Sequence, residues 1–143
     1  KLSRICLFIY QKFEPQMDTK NIFLNQDNLR VRKMLTYIHE HYSESIFLED
    51  IAKAADLSER ECFRCFKKTL QVSPVQYLIK LRIMRGAEQL LSNPADSISE
   101  TASACGFDSP SNFAKMFRRF YDCTPREYRK FHLLIHKKGG EGV

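Results

Sequence analysis

A segment of this chain occurs twice, and that repetition limits what it can fold into more than any other feature. Phe66-Lys67-Lys68-Thr69-Leu70-Gln71-Val72-Ser73-Pro74-Val75-Gln76-Tyr77 aligns with Phe117-Arg118-Arg119-Phe120-Tyr121-Asp122-Cys123-Thr124-Pro125-Arg126-Glu127-Tyr128 at an offset of 51 residues. Phe, two basic residues, Ser/Thr-Pro and Tyr stay in register. Upstream, Leu48 and Ala52 match Ile98 and Ala102 at an offset of 50. The extra residue falls where Asp56-Leu57-Ser58 faces Gly106-Phe107-Asp108-Ser109; length changes of this kind belong in turns. Each copy therefore reads as a short helix with a central Ala, a tight turn, and a second helix that opens on Ser and ends basic, which is a helix-turn-helix. Ala52 and Ala102 predict a close crossing of the paired helices, where a larger side chain costs about 1–3 kcal/mol through overpacking.

Local signals complete an all-α reading. Ser58, Ser73, Ser97 and Thr124 each precede Glu or Gln by three residues, and Pro follows Ser73 and Thr124. A hydroxyl at the cap with a carboxylate or amide three residues on satisfies the free N–H groups of a helix start from both ends. Val31, Met34, Leu35 and Ile38 recur at helical spacing, predicting a helix from Asn28 to about His41. A short helix follows from Leu48, with Ser45 expected to cap it in place of the unsuitable Phe47. The Pro74 helix is expected to run to about Leu91, stopped by Asn93-Pro94. At about 1.5 Å per residue it is roughly 25 Å long, a stiff spacer suited to holding two reading helices in successive major grooves.

The expected organisation is a remnant of an upstream regulatory domain over 1–13, a linker over 14–29 and a first helix-turn-helix subdomain over 30–72. A central helix over 73–92, a second subdomain over 93–132 and a disordered tail over 133–143 follow. Lys1 stands where an initiator Met would, so the chain is expected to continue upstream.

Charge points to a polyanion. Cys62 to Ala87 carries six basic residues (Arg64, Lys67, Lys68, Lys80, Arg82, Arg85) and no acid, within a chain of formal charge +6. In a helix-turn-helix the second helix enters the major groove of duplex DNA and its first turns meet base edges. With Cys62, Cys65 and Phe66 assigned to the core of one such helix, and Phe113, Met116 and Phe117 to the core of the other, the faces left to meet DNA hold Glu59, Arg60, Phe63, Arg64 and Lys67, then Pro110, Ser111, Ala114, Lys115 and Arg118. Arg64 is the leading base reader, through a two-pronged bond to guanine, with Lys115 its counterpart. Phe63 and Ala114 offer apolar contact to thymine methyls; the competing reading of Phe63 is packing on a neighbouring helix. Lys67, Lys68, Arg82, Arg85, Arg118 and Arg119 are the expected phosphate contacts, joined by the helix starts at Ser58 and Ser109.

Ile98-Ser99-Glu100-Thr101-Ala102-Ser103-Ala104-Cys105-Gly106-Phe107-Asp108-Ser109-Pro110-Ser111-Asn112-Phe113-Ala114-Lys115-Met116-Phe117-Arg118-Arg119, followed by Thr124-Pro125-Arg126-Glu127-Tyr128-Arg129, resembles the signature of the AraC/XylS family of bacterial transcription regulators. The resemblance implies seven helices in two subdomains bridged by the central helix, with the base-facing positions on Arg60, Phe63 and Arg64 of the first reading helix and on Pro110, Ser111, Ala114 and Lys115 of the second. It also implies cytoplasmic action at promoters through RNA polymerase, chiefly as an activator, and an N-terminal domain for effector binding or dimerisation. Without that domain the chain is expected to be monomeric. One departure matters: where the family usually has Gly ahead of the Ser/Thr-Pro pairs, this chain has Gln71 and Asp122, both then expected in a left-handed conformation at a cost of about 1–2 kcal/mol.

Other classes fit less well. Cys62-Phe63-Arg64-Cys65 has metal-like spacing, but zinc needs two further ligands, and the repeat places these cysteines opposite Phe113 and Met116. No metal or cofactor is expected. No catalytic spacing or Gly-rich phosphate loop occurs, so an enzyme is not expected. No apolar run approaches the ~20 residues of a membrane span. An all-helical protein-interaction module accounts for the capped helices but not for the acid-free basic stretch, and the narrow major groove of RNA does not admit a reading helix.

Overall fold

The computed structural model describes residues 25–140 as seven α-helices. In chain order they are α1 (Asn25–His41), α2 (Leu48–Ala54), α3 (Glu59–Leu70), α4 (Pro74–Ser92), α5 (Ile98–Ala104), α6 (Pro110–Tyr121) and α7 (Pro125–Gly140). The chain divides into two compact units within α4, between Ile79 and Lys80. The central helix thus belongs to both units. The expectation for residues 1–13 lies outside the described residues.

In the first unit α1, α2 and α3 pack on one another. Val31, Met34 and Ile38 of α1 are fully buried at the expected spacing and share the core with Ile51, Ala52, Cys62 and Phe66, all at most 2% exposed. In the second unit α6 packs on α5 and α7. Its core holds Ile83, Ala87, Leu90, Ala102, Cys105, Phe113 and Phe117.

The repeat written in the sequence is also present in the backbone. Leu57 N–H bonds to the Ala52 carbonyl at 2.9 Å, and Phe107 N–H to the Ala102 carbonyl at 2.9 Å. Gln71 N–H bonds to the Lys67 carbonyl and Asp122 N–H to the Arg118 carbonyl, both at 2.8 Å. Phe66 meets Tyr77 edge-on at 5.6 Å, and Phe117 meets Tyr128 edge-on at 5.3 Å. Gln71 (φ 60°) and Asp122 (φ 61°) both adopt the left-handed conformation expected of them, as does Asp56 (φ 55°) in the first turn, where the second turn has Gly106 (φ 94°).

Four differences from the sequence reading are local. α1 is already helical at Asn25, the first described residue, where a linker to residue 29 was expected; there Asn28 is buried and Asp27 pairs with Arg30. Phe47, not Ser45, caps α2, since its N–H donates to the Asp50 carboxylate at 2.8 Å and needs no hydroxyl. Met116 is half-buried, at the margin of the core and not inside it. α7 continues to Gly140 where a disordered tail was expected from residue 133, as Phe131 to His136 contains no helix breaker. Phe131, Leu133, Leu134 and Ile135 are exposed along it.

Candidate nucleic-acid interface

Each unit presents its second helix in the same way. The Ser58 hydroxyl accepts from Glu61 N–H at 3.2 Å and the Ser109 hydroxyl from Asn112 N–H at 3.1 Å, so α3 and α6 begin at fixed points. Ser73, Ser97 and Thr124 cap the starts of α4, α5 and α7 likewise, at 3.0–3.1 Å. From its cap, α3 turns Cys62, Cys65, Phe66, Thr69 and Leu70 inward. Arg60, Phe63, Arg64 and Lys67 then share the outer face at the i, i+3, i+4, i+7 spacing of one helical stripe, and all four are exposed. Phe63 is 46% exposed, so it does not pack into the unit's core.

On α6 the stripe consists of Ser111, Ala114, Lys115 and Arg118, displaced from the first by the repeat offset of 51. Phe113 and Phe117 are fully buried behind it; Ser111, Lys115 and Arg118 are exposed, Ala114 is half-buried, and Pro110 lies exposed at the first turn. The structure thus gathers the base-facing candidates onto one outer stripe per unit. Lys68 and Arg119 are exposed beside them. The expected phosphate contacts on α4 are placed differently. Arg85 is half-buried and paired with Glu88 at 3.1 Å. Arg82 is half-buried, and burial lowers its guanidinium from the ordinary value against the opposing pull of Asp108.

The electrostatics of the two stripes differ. The Nε and Nη2 of Arg64 donate to the Glu61 carboxylate at 2.9–3.2 Å, and Nη2 lies 3.9 Å from Asp27 Oδ1. Lys68 Nζ is 3.7 Å from Asp27 Oδ2, and Arg30 Nη1 is 3.4 Å from Oδ1. Burial works to raise the Asp27 carboxyl, but the Cys65 thiol and the cations Arg64, Lys68 and Arg30 outweigh it and hold it below the usual carboxylate value. Among the described residues no ion pair engages Lys115, Arg118 or Arg119.

Asp27 was not singled out from the sequence, and Glu61 was read only as the capping partner of Ser58, whereas its carboxylate pairs with Arg64. Asp27 falls in the expected linker, and Glu61 stands one position before the acid-free stretch. An Asp one turn ahead of the periodic Val31-Met34-Ile38 series is nevertheless a helix-start signal, and Glu61 lies three residues before Arg64, within pairing distance on one helix face.

Cys62 and Cys65 are both buried. The Cys62 thiol lies 3.3 Å from Met34 Sδ and the Cys65 thiol 3.3 Å from Asp27 Oδ1. Among the described residues no group of three or more His, Cys, Asp or Glu side chains is placed to hold a metal ion, and no helix is long and apolar enough to cross a membrane.

Comparison with known proteins places this geometry. Residues 51–130 match a family described as a helix-turn-helix domain. An uncharacterised HTH-type transcriptional regulator of Bacillus subtilis, YdeC, is 41% identical over 103 residues, covering 72% of this chain and 35% of the regulator. Other relatives are named transcription activators. The chain spans about a third of the length of the curated relatives it matches. A transcriptional regulator of the AraC-type DNA-binding group from Chromobacterium violaceum superposes with a TM-score of 0.65 at 32% identity, over 71% of this chain and 89% of that one. The DNA-binding domain of the global transcriptional factor AdpA, solved with a target DNA, superposes with a TM-score of 0.67 at 31% identity, over 72% of this chain and 92% of that one.

Proposed function

Since this chain belongs to the AraC/XylS family of helix-turn-helix transcription regulators, we propose that it is the sequence-reading part of a bacterial regulator that binds duplex DNA through both units. The observation that carries this reading is the pair of capped helices, α3 and α6, each of which buries one side in its unit's core and turns an equivalent stripe with basic residues to solvent. Arg60, Phe63 and Arg64 face bases in the first unit, and Pro110, Ser111, Ala114 and Lys115 in the second. Arg64 carries the most sequence information, because a guanidinium fork matches the two acceptors of guanine and one such pair discriminates by about 1–3 kcal/mol. The α6 stripe has shorter side chains at Ser111 and Ala114, so the second unit reads fewer positions and grips more backbone.

Phosphates are held by the helix starts at Ser58 and Ser109 and by Lys67, Lys68, Arg118 and Arg119, with Arg82 and Arg85 contributing once released from their present surroundings. Activation through RNA polymerase, effector recognition and dimerisation belong to the longer regulator, acting in the bacterial cytoplasm. This portion alone is a monomer and needs no cofactor.

The test is selection of binding sites from a random duplex pool, with the wild-type chain, Arg64→Ala and Lys115→Ala. The expected result is a two-part motif in which Arg64→Ala relaxes one part strongly and Lys115→Ala relaxes the other weakly. Binding that falls steeply with salt yet enriches no motif would show a backbone grip without base reading. Absence of binding at low salt would favour the protein-interaction alternative.

A further inference from the structure

Asp27 lies near the start of α1, 20% exposed, where three cations and a thiol converge on one carboxylate. Two of those cations, Arg64 and Lys68, belong to α3. Neither is neutralised deep in the core: Arg64 is 47% exposed and Lys68 60% exposed. The arrangement therefore leaves them reachable while limiting where they go.

The geometry at Arg64 is directional. A guanidinium presents donors along two useful edges. Glu61 occupies the Nε–Nη2 edge, Asp27 approaches Nη2, and the Cys65 sulfur lies 3.5 Å from the same nitrogen. Nη1 has no partner among the described residues, so it stays available to a base acceptor, and a two-pronged bond forms when the second acceptor displaces the long Cys65 and Asp27 contacts of Nη2. A long side chain fixed in this way gives up little further freedom on binding, and preorganisation of that kind favours the correct partner over the general one. Lys68 is a flexible point charge suited to any phosphate; held towards Asp27, it contributes less to indiscriminate backbone binding.

We propose that Asp27 is a positioning residue for specificity: together with Glu61 it sets Arg64 for base reading and restrains Lys68, without itself touching DNA. The proposal rests on Arg64 being a base reader, as argued above. Its negative charge also opposes a phosphate backbone that approaches out of register.

The experiment compares wild type, Asp27→Asn, Asp27→Glu, Arg64→Ala and the double variant Asp27→Asn/Arg64→Ala. Each is measured for binding to the selected duplex and to a scrambled duplex of equal length across a salt series, with urea unfolding in parallel. Asp27→Asn is expected to strengthen binding to the scrambled duplex at low salt. Its log–log salt slope steepens by about 1, as one further phosphate contact would give. The selected-to-scrambled ratio falls about tenfold, the scale of one well-placed base contact. Asp27→Glu restores part of the ratio, and in the Arg64→Ala background Asp27→Asn leaves it unchanged.

An unchanged ratio in Asp27→Asn, alongside a ratio that does fall in Arg64→Ala, overturns the role of Asp27 and leaves the base-reading assignment intact. Equal weakening on both duplexes with a lower unfolding midpoint also overturns it, since Asp27 then only supports the fold. A ratio unmoved by Arg64→Ala removes the base-reading assignment itself, and this inference with it.

Discussion

In the first unit Cys62 of α3 rests against Met34 of α1, a small side chain against a long one. In the second, the residue equivalent to Cys62 is Phe113, and what it meets on α4 is Gly86: a Cβ added there would come within 2.7 Å of the Phe113 ring and 3.3 Å of the Cys105 sulfur. The two units thus keep one backbone plan and fill the space behind this position differently, a small side chain against a long one in the first and a large ring against glycine in the second. Charge differs as well. Arg64 of the α3 stripe and Lys68 beside it are tied to Glu61 and Asp27, whereas the basic residues of α6 have no acidic partner among the described residues. What an internal duplication preserves here is the helix geometry, and what drifts is how each contact is filled.

The largest expected effect tests that difference in volume. Gly86→Met should destabilise the second unit by about 3 kcal/mol, the upper end of the overpacking range. Phe113 is fully buried, its ring centroid 5.3 Å from that of Phe107 and 5.7 Å from that of Phe117, so a larger neighbour must displace an aromatic cluster. Adding Phe113→Cys, which copies the first unit's arrangement, should recover most of the urea stability. A double variant no better than the single one would show that the contacts are not complementary.

Next in size is a bond that only the second unit makes. Arg129 donates from Nε to the Leu90 carbonyl at 2.9 Å and from Nη2 to that of Asn93 at 3.5 Å, satisfying the end of α4 from α7. Its counterpart by the repeat is Leu78, 4% exposed in the first unit's core. Arg129→Met should lower unfolding free energy by about 2 kcal/mol, within the range for hydrogen bonds to a charged group. A loss under half of that would mean water replaces the guanidinium at those carbonyls.

Smaller gains are expected at the left-handed positions. Gln71→Gly and Asp122→Gly should each stabilise by about 0.5–1 kcal/mol, relief of left-handed strain less the added chain entropy of glycine. With φ at 60° and 61° the backbone relief is the same at both, so a difference between the two gains measures what each side chain contributes. In the turns the repeat predicts opposite signs, with Asp56→Gly stabilising and Gly106→Ala, at φ 94°, destabilising.

The thiols give the smallest signal at neutral pH. Burial pushes Cys62 up to about 11 and Cys105 up to about 12 from an ordinary 9.0. At pH 8 an alkylating agent should therefore modify the half-buried Cys123 well before Cys62, Cys65 or Cys105. Because the folded values are raised, the protonated thiols contribute stability that is whole below about pH 9 and is lost as pH rises through 11 to 12. The urea midpoint should stay flat with respect to these groups up to pH 9 and fall above it. A midpoint unchanged up to pH 12 would show that neither thiol is shielded as the fold implies.

Much of the fold was legible because its signals are local. A hydroxyl three residues before Glu or Gln, a Pro after it, and apolar residues at helical spacing act within one or two turns of chain, so the starts of α3, α4, α5 and α7 followed from adjacent residues. The ends of the molecule were less legible. At α1 the linker-like composition up to residue 29 concealed helix already present at Asn25, and at α7 the absence of a breaker mattered more than the lack of a buried face. The two stripes were legible too, since the spacing of Arg60, Phe63, Arg64 and Lys67 fixes them to one side once Cys62 and Phe66 are assigned inward. The pairing of Arg64 with Asp27 was not, because it joins residues from two helices and depends on how α1 crosses α3.

By itself, the sequence determined that this protein has two copies of one helical plan, where their helices begin, and which side of each reading helix is apolar. Tertiary structure alone decided that Met34 faces Cys62, that Gly86 makes room for Phe113, and that Asp27 gathers the cations of α3. The physical reason is range. Capping and periodicity are set by bonds between near neighbours, whereas packing volume and ion pairing depend on distances of 3 to 4 Å between helices, which no local pattern specifies.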